Sequence, residues 1–192
     1  RSVWGGGILA DTIEFDEPEF QQFFDYWNSL RGTETVPVKS SFDPLKVSSL
    51  MAVMSVTQWI PPDKLYLRLM GTDIVEQTHM ETTGSNLLDL IFEPQRPMIM
   101  AYGVALFGTP AIGLVTTNRR FASGKTVEVK FGFFPFRRDA REPDIAVGVH
   151  KADLEANKRV ASHDQLKHAE VLAYKLVDIG NGVPDLSYTT DG

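Results

Sequence analysis

Hydrophobic and polar positions alternate most plainly over Lys64–Met70, where Leu65, Leu67 and Leu69 interleave with Tyr66, Arg68 and Met70. That is the period of a half-buried strand. Gly71 and Thr72 end it, with Thr72 placed to cap a helical turn over residues 73–76, and Thr83-Gly84 marks the next turn. A second alternation sets Val127, Val129 and Phe131 against Glu128 and Lys130, predicting a strand over residues 126–137. Nearer the start, Phe20, Phe23, Phe24, Trp27 and Leu30 recur at helical spacing. Asp16 and Glu19 form a capping-box-like pair ahead of this helix, Pro18 suits its first turn, and Gly32 supplies its stop.

Further elements follow from the same patterns. Asp43 as cap and Pro44 at the first helical position open a short helix to residue 50. Residues 51–60 are rich in β-branched and bulky side chains and read as a strand, turned by Pro61-Pro62-Asp63 into Lys64–Met70. Residues 84–92 give a helical turn or two, and Pro94 begins the longest helix of the domain, to about residue 107. Strands are expected over 112–121, 126–137 and 144–150. Two strands, small helices, a longer helix and three strands in meander make an α+β fold. Its five-stranded antiparallel sheet would be covered on one face by helices, a shape that can enclose a ligand.

Outside this region the patterns weaken. Residues 1–15, Gly-rich at the outset, read as a mobile arm, and residues 16–150 as the domain with its amphipathic first helix. Residues 151–192 form a C-terminal extension. Its polar stretch 151–170 suggests a weakly amphipathic helix, residues 171–179 fit a helix or a strand, and those after Pro184 read as frayed.

Composition narrows the function classes. A length of 192 residues with 43% apolar side chains suits one domain with extensions. A net charge of −6 and the lack of any Lys/Arg block argue against a nucleic-acid surface. With no cysteine there is no disulfide, zinc–thiolate site, thiol nucleophile or flavin–thiol adduct, and a cytoplasmic location is expected. Residues 98–115 carry only Thr109 as a polar side chain, close to the length of a spanning helix. Gly108-Thr109-Pro110 breaks that run, so it reads as a buried helix, a turn and a strand, with no membrane span. The first residues lack the apolar core of a signal peptide.

Catalytic patterns are absent. Ser162-His163-Asp164 spells the triad residues consecutively, but sequence neighbours point their side chains apart. His163 and His168 are five apart rather than the four that share a helix face for a metal, and Gly5-Gly6-Gly7 lacks the strand and helix of a phosphate loop. Candidate ligand-binding residues are fewer. A lone Arg68 in a central strand is either an outer-face or carboxylate-paired side chain, or an anchor for an anionic ligand. Trp59, Tyr66 and Tyr102 are plain core or pocket lining, Thr72 stands at the turn, and His79 is a solvated loop residue or a ligand contact. No metal site is expected, and no cofactor is named by any spacing. The aromatic stripe of residues 20–30 has two readings, core packing or a homodimer contact.

The element order, strand–strand–turns–helix–three strands, resembles that of a PAS domain. Particular residues add to this: Tyr26-Trp27, Leu30-Arg31-Gly32, Pro37, Asp43-Pro44, Leu67-Arg68-Leu69 with Gly71-Thr72, and Thr83-Gly84 with Leu87. Together they are similar to the small PAS-type family of unknown function found mostly in alphaproteobacteria, over roughly residues 15–150. The resemblance implies the PAS fold and a sensory or scaffolding role without catalysis, and names no common cofactor. Two functions stand: a non-catalytic sensor binding a small molecule between sheet and helices, or an interaction scaffold whose pocket Phe131, Phe133, Phe134 and Phe136 fill. A small α+β enzyme is a third, less favoured, reading.

Overall fold

A computed structural model describes residues 13–139 and 141–190, so most of the arm expected over residues 1–15 lies outside the described residues. The chain runs α1 (Pro18–Arg31), β1 (Met54–Ile60), β2 (Lys64–Met70), α2 (Thr72–Thr78), α3 (Arg96–Gly108), β3 (Ala111–Phe121) and β4 (Thr126–Phe136). It continues through β5 (Ile145–Ala152), α4 (Leu154–Asn157), β6 (Leu166–Asp178) and β7 (Tyr188–Thr189). Tighter 3-10 turns occupy Lys39–Ser41, Pro44–Val53, Leu87–Leu90 and Glu93–Gln95. As the sequence predicts, Asp43 caps the second of these, accepting from the Leu45 N–H at 3.0 Å.

The fold is α+β around one antiparallel sheet, but the sheet has seven strands instead of five, in the order β2-β1-β5-β4-β3-β6-β7. The two additional strands come from the C-terminal extension. Strand β6 pairs with β3 from Ala111 to Phe121, and β7 adds a two-residue pairing to β6. The helix expected over residues 151–170 is reduced to α4, because the long edge of β3 offers unpaired backbone groups that a strand satisfies and a helix does not.

Helices cover both faces of the sheet, where one face was expected. On one side α1 lays Phe20, Phe23, Phe24 and Trp27 against Phe134, Phe136 and Val147. Phe23 and Phe134 meet at 4.8 Å between ring centroids, and the Trp27 indole Nε1 donates to the Pro135 carbonyl at 2.8 Å. Gly132 makes the close approach of α1 possible, since a Cβ there would stand 3.3 Å from the Phe20 ring. Ile13 and Phe15 also pack on this core. Phe20, Phe23, Phe24 and Trp27 are 0–3% exposed and Leu30 is half-buried, so the stripe is largely consumed as core, and the homodimer contact expected of residues 20–30 loses most of the side chains that motivated it. Glu19 does not close a capping box with Asp16; it pairs with Lys151 on β5, while Glu17 is the N-terminal flanking residue and pairs with Lys130 at 2.5 Å.

The opposite face is roofed by α2, α3 and the turn at Leu87–Leu90. Gly71 lets β2 pass into α2: a Cβ there would lie 2.3 Å from the Ala52 carbonyl oxygen. Thr72 is the first helical residue and makes no capping bond, the flanking position being Gly71. Among the described residues no helix is long and apolar enough to cross a membrane.

Candidate functional site

Alternate residues of six strands point toward the α2–α3 side, as strand geometry requires. They contribute Ser55 and Thr57 from β1, Leu65 and Leu67 from β2, Thr117 and Arg119 from β3, and Phe131 and Phe133 from β4. His150 from β5 and Ala169 and Val171 from β6 complete the floor. Thr78 of α2, Ile99, Tyr102, Leu106 and Phe107 of α3, and Leu87 form the roof. Floor and roof border a partly open cavity of about 100 Å³. Glycines beside it let its walls approach closely: a Cβ on Gly113 would stand 2.1 Å from the Tyr102 hydroxyl, and one on Gly148 would stand 2.6 Å from Ser55 Oγ.

Most of this lining is apolar, with one polar end. There Arg119 and His150 are 3% and 7% exposed. The Arg119 guanidinium reaches Gln77 Oε1 at 3.3 Å and His150 Nδ1 at 3.5 Å, and sits 6.0 Å from the centroid of the Phe131 ring. Its fixed charge makes it a donor only, so His150 Nδ1 accepts and the imidazole proton lies on Nε2, which donates to Ser55 Oγ at 2.8 Å. Burial, and then the neighbouring guanidinium, holds the His150 pKa well below its ordinary value, so the ring is neutral. Burial also lowers the Arg119 pKa to about 10, which leaves it a cation at neutral pH. Two buried hydroxyl oxygens on the cavity wall, those of Tyr102 and Thr57, have no hydrogen-bond partner among the described residues. Tyr102 is correspondingly held well above the usual phenol range by burial.

Of the six residues singled out in the sequence, the cavity gathers only Tyr102. The register of β2 sends Leu65 and Leu67 inward, so Tyr66 and Arg68 stand on the other side. Arg68 is exposed and donates to Gln58 Oε1 at 2.5 Å, while Tyr66 lies under the Lys64 ammonium at 4.8 Å. Trp59 borders a separate outer depression together with Val104, Phe107 and Arg138. Thr72 is exposed on α2. His79 takes a left-handed conformation (φ 55°) at the end of α2, and its Nδ1 donates to the Asp164 carbonyl at 2.8 Å. That bond ties α2 to the 161–165 turn, a structural role.

Arg119 and His150 were missed because each sits near the polar end of its strand. A signal was present nonetheless. Arg119 shares parity with Val115 and Phe121, and His150 shares parity with the small Ala146 and Gly148. Of the four phenylalanines expected to fill a pocket, Phe131 and Phe133 line the cavity whereas Phe134 and Phe136 face α1. Asp164 does not join Ser162 and His163 in chemistry; its carboxylate accepts from the Ser123 backbone N–H at 2.9 Å and from the Ser123 hydroxyl, closing a turn. Among the described residues no group of three or more His, Asp or Glu side chains could hold a metal ion.

A family model described as PAS domain matches residues 15–151. That match ends within β5, so the three cavity residues from β6 lie beyond it. No curated protein matches the sequence.

Proposed function

This chain belongs to the PAS domain family, and we propose that it is a non-catalytic sensory module that reads whether a small molecule occupies the cavity between sheet and α3. The observation that carries this reading is the space itself. Interiors are normally filled to crystal-like density, so about 100 Å³ left open beside an unmatched cation is a costly arrangement unless something enters it. The lining is predominantly apolar with a few convergent polar groups, the usual chemistry of a small-molecule site. A readout is also in place. Strand β6 lends Leu166, Ala169 and Val171 to the cavity and then continues to the end of the sheet, so occupancy bears directly on the C-terminal extension.

The scaffold reading, with a core filled by its own side chains, draws less support, since Phe131 and Phe133 border the space without filling it. Native mass spectrometry of freshly purified protein, with analysis of what denaturation releases, separates the two. A stoichiometric small molecule, or saturable uptake of one from a metabolite panel, supports the sensor. Protein that carries and accepts nothing while forming a stable complex with another chain contradicts it.

A further inference from the structure

Arg119 is a buried cation with no ion-pair partner among the described residues. Its neighbours are all neutral: the Gln77 amide, the His150 imidazole and the Phe131 ring. Among the described residues two hydrogen bonds, both long, engage a group that has five N–H donors. His150 cannot supply the missing charge, because protonating it would add a second positive group beside the first. Buried charges are otherwise paired, and a carboxylate offers the two parallel oxygens that a guanidinium fork binds best.

Building on the reading of the cavity as a ligand site, we infer that it takes a small monocarboxylate with a short apolar tail. The carboxylate pairs with Arg119, and the tail lies among Leu65, Leu67, Ile99 and Leu106 toward α3. Three features of the cavity fix that class. Charge is the first: one guanidinium balances one negative charge, whereas a phosphate dianion would bring an uncompensated charge into an apolar space. Size is the second: an apolar cavity of about 150 Å³ holds the six carbons of benzene, so about 100 Å³ suits an acid of roughly four or five non-hydrogen atoms, the size of acetate or propionate. The third is the pair of unpartnered hydroxyls, Tyr102 and Thr57, which offer donors to an acceptor-rich ligand. Arg68, the cation the sequence offered for this role, is exposed on the wrong face of β2.

Calorimetric titration of the whole chain near neutral pH with acetate and propionate, and with the matching amides acetamide and propanamide, tests this. The acids are expected to bind at least tenfold more tightly than the amides. In Arg119→Gln that preference should vanish, and Arg119→Lys should keep part of it. Because the acid–amide comparison is made on the unaltered protein, it holds even if a variant does not fold. Amides binding as well as the acids, or an acid preference that survives in Arg119→Gln, would overturn the inference while leaving the cavity a ligand site. Failure of all four probes overturns it too. The sensor reading falls with it only if native mass spectrometry also shows protein that neither carries nor accepts a small molecule.

Discussion

The guanidinium of Arg119 on β3 and the imidazole of His150 on β5 meet across β4, with Nη2 3.5 Å from Nδ1. Between them β4 contributes Phe131, whose ring lies 4.5 Å from the His150 ring and 6.0 Å from the guanidinium carbon. A charged and a neutral nitrogen base thus share the polar end of an apolar cavity, and several consequences can be measured.

Acid should destabilise the fold through His150. Its ordinary pKa is 6.5, and in the folded protein burial and then Arg119 hold it well below that. Below about pH 6.5 the unfolded chain therefore binds a proton that the folded chain refuses, and stability falls as the pH drops through that value. His168 is shifted in the same direction, chiefly by burial, and adds to the effect. Urea unfolding between about pH 7.5 and 5.5 should show the loss, and His150→Gln should flatten the slope. An unchanged slope in that variant would mean the imidazole is not held neutral.

In ligand-free protein, replacing the buried cation should help. Arg119→Met keeps most of the side-chain volume and removes an unpaired charge, so it should stabilise by about 1–3 kcal/mol in chemical unfolding. A loss of comparable size would show that the bonds to Gln77 and His150 outweigh the desolvation.

Gly113→Ala should drive the Tyr102 hydroxyl and Leu106 from their places, since the new Cβ would stand 2.1 Å and 2.5 Å from them. Overpacking of this kind costs about 1–3 kcal/mol. Adding Tyr102→Phe removes the atom that is struck and, because that hydroxyl has no partner among the described residues, should recover part of the loss. A double-mutant cycle in which the two changes simply add would contradict this packing.

Trp27 tests where the α1 stripe is used. Trp27→Phe removes the indole bond to the Pro135 carbonyl and should cost about 1–3 kcal/mol, whereas Trp27→Ala should cost about 3–5 kcal/mol. Light scattering should find the oligomeric state of Trp27→Phe unchanged. A shift in that state would return the stripe to an interface role.

The element order was legible in the sequence because its strands and helices carry strong periodicity. Pro18 and Gly32 bound α1, the Asp43-Pro44 pair opens the next turn, and β2 forms where alternation places it, although only Leu65 and Leu67 of its three leucines face the core and Leu69 is exposed. Strand β6 was only half legible: residues 171–179 fit a strand as well as a helix, but residues 166–170 favour a helix locally, and only pairing with the long edge of β3 makes them a strand. The site was missed for a related reason. Alternation reveals which residues share a face, but the β2 register had to be known before Arg68 could be placed outside. Arg119, between the polar Asn118 and Arg120, resembles a strand end until β6 covers it.

The most direct test is a methyl NMR titration of the unaltered protein with propionate. Saturable shifts are expected at Leu65, Ile99 and Leu106 around the cavity, with little change at Val47 and Leu50 on the α1 side of the sheet. Shifts on the α1 side alone, or none at any concentration of the acid, would contradict a carboxylate site beside Arg119.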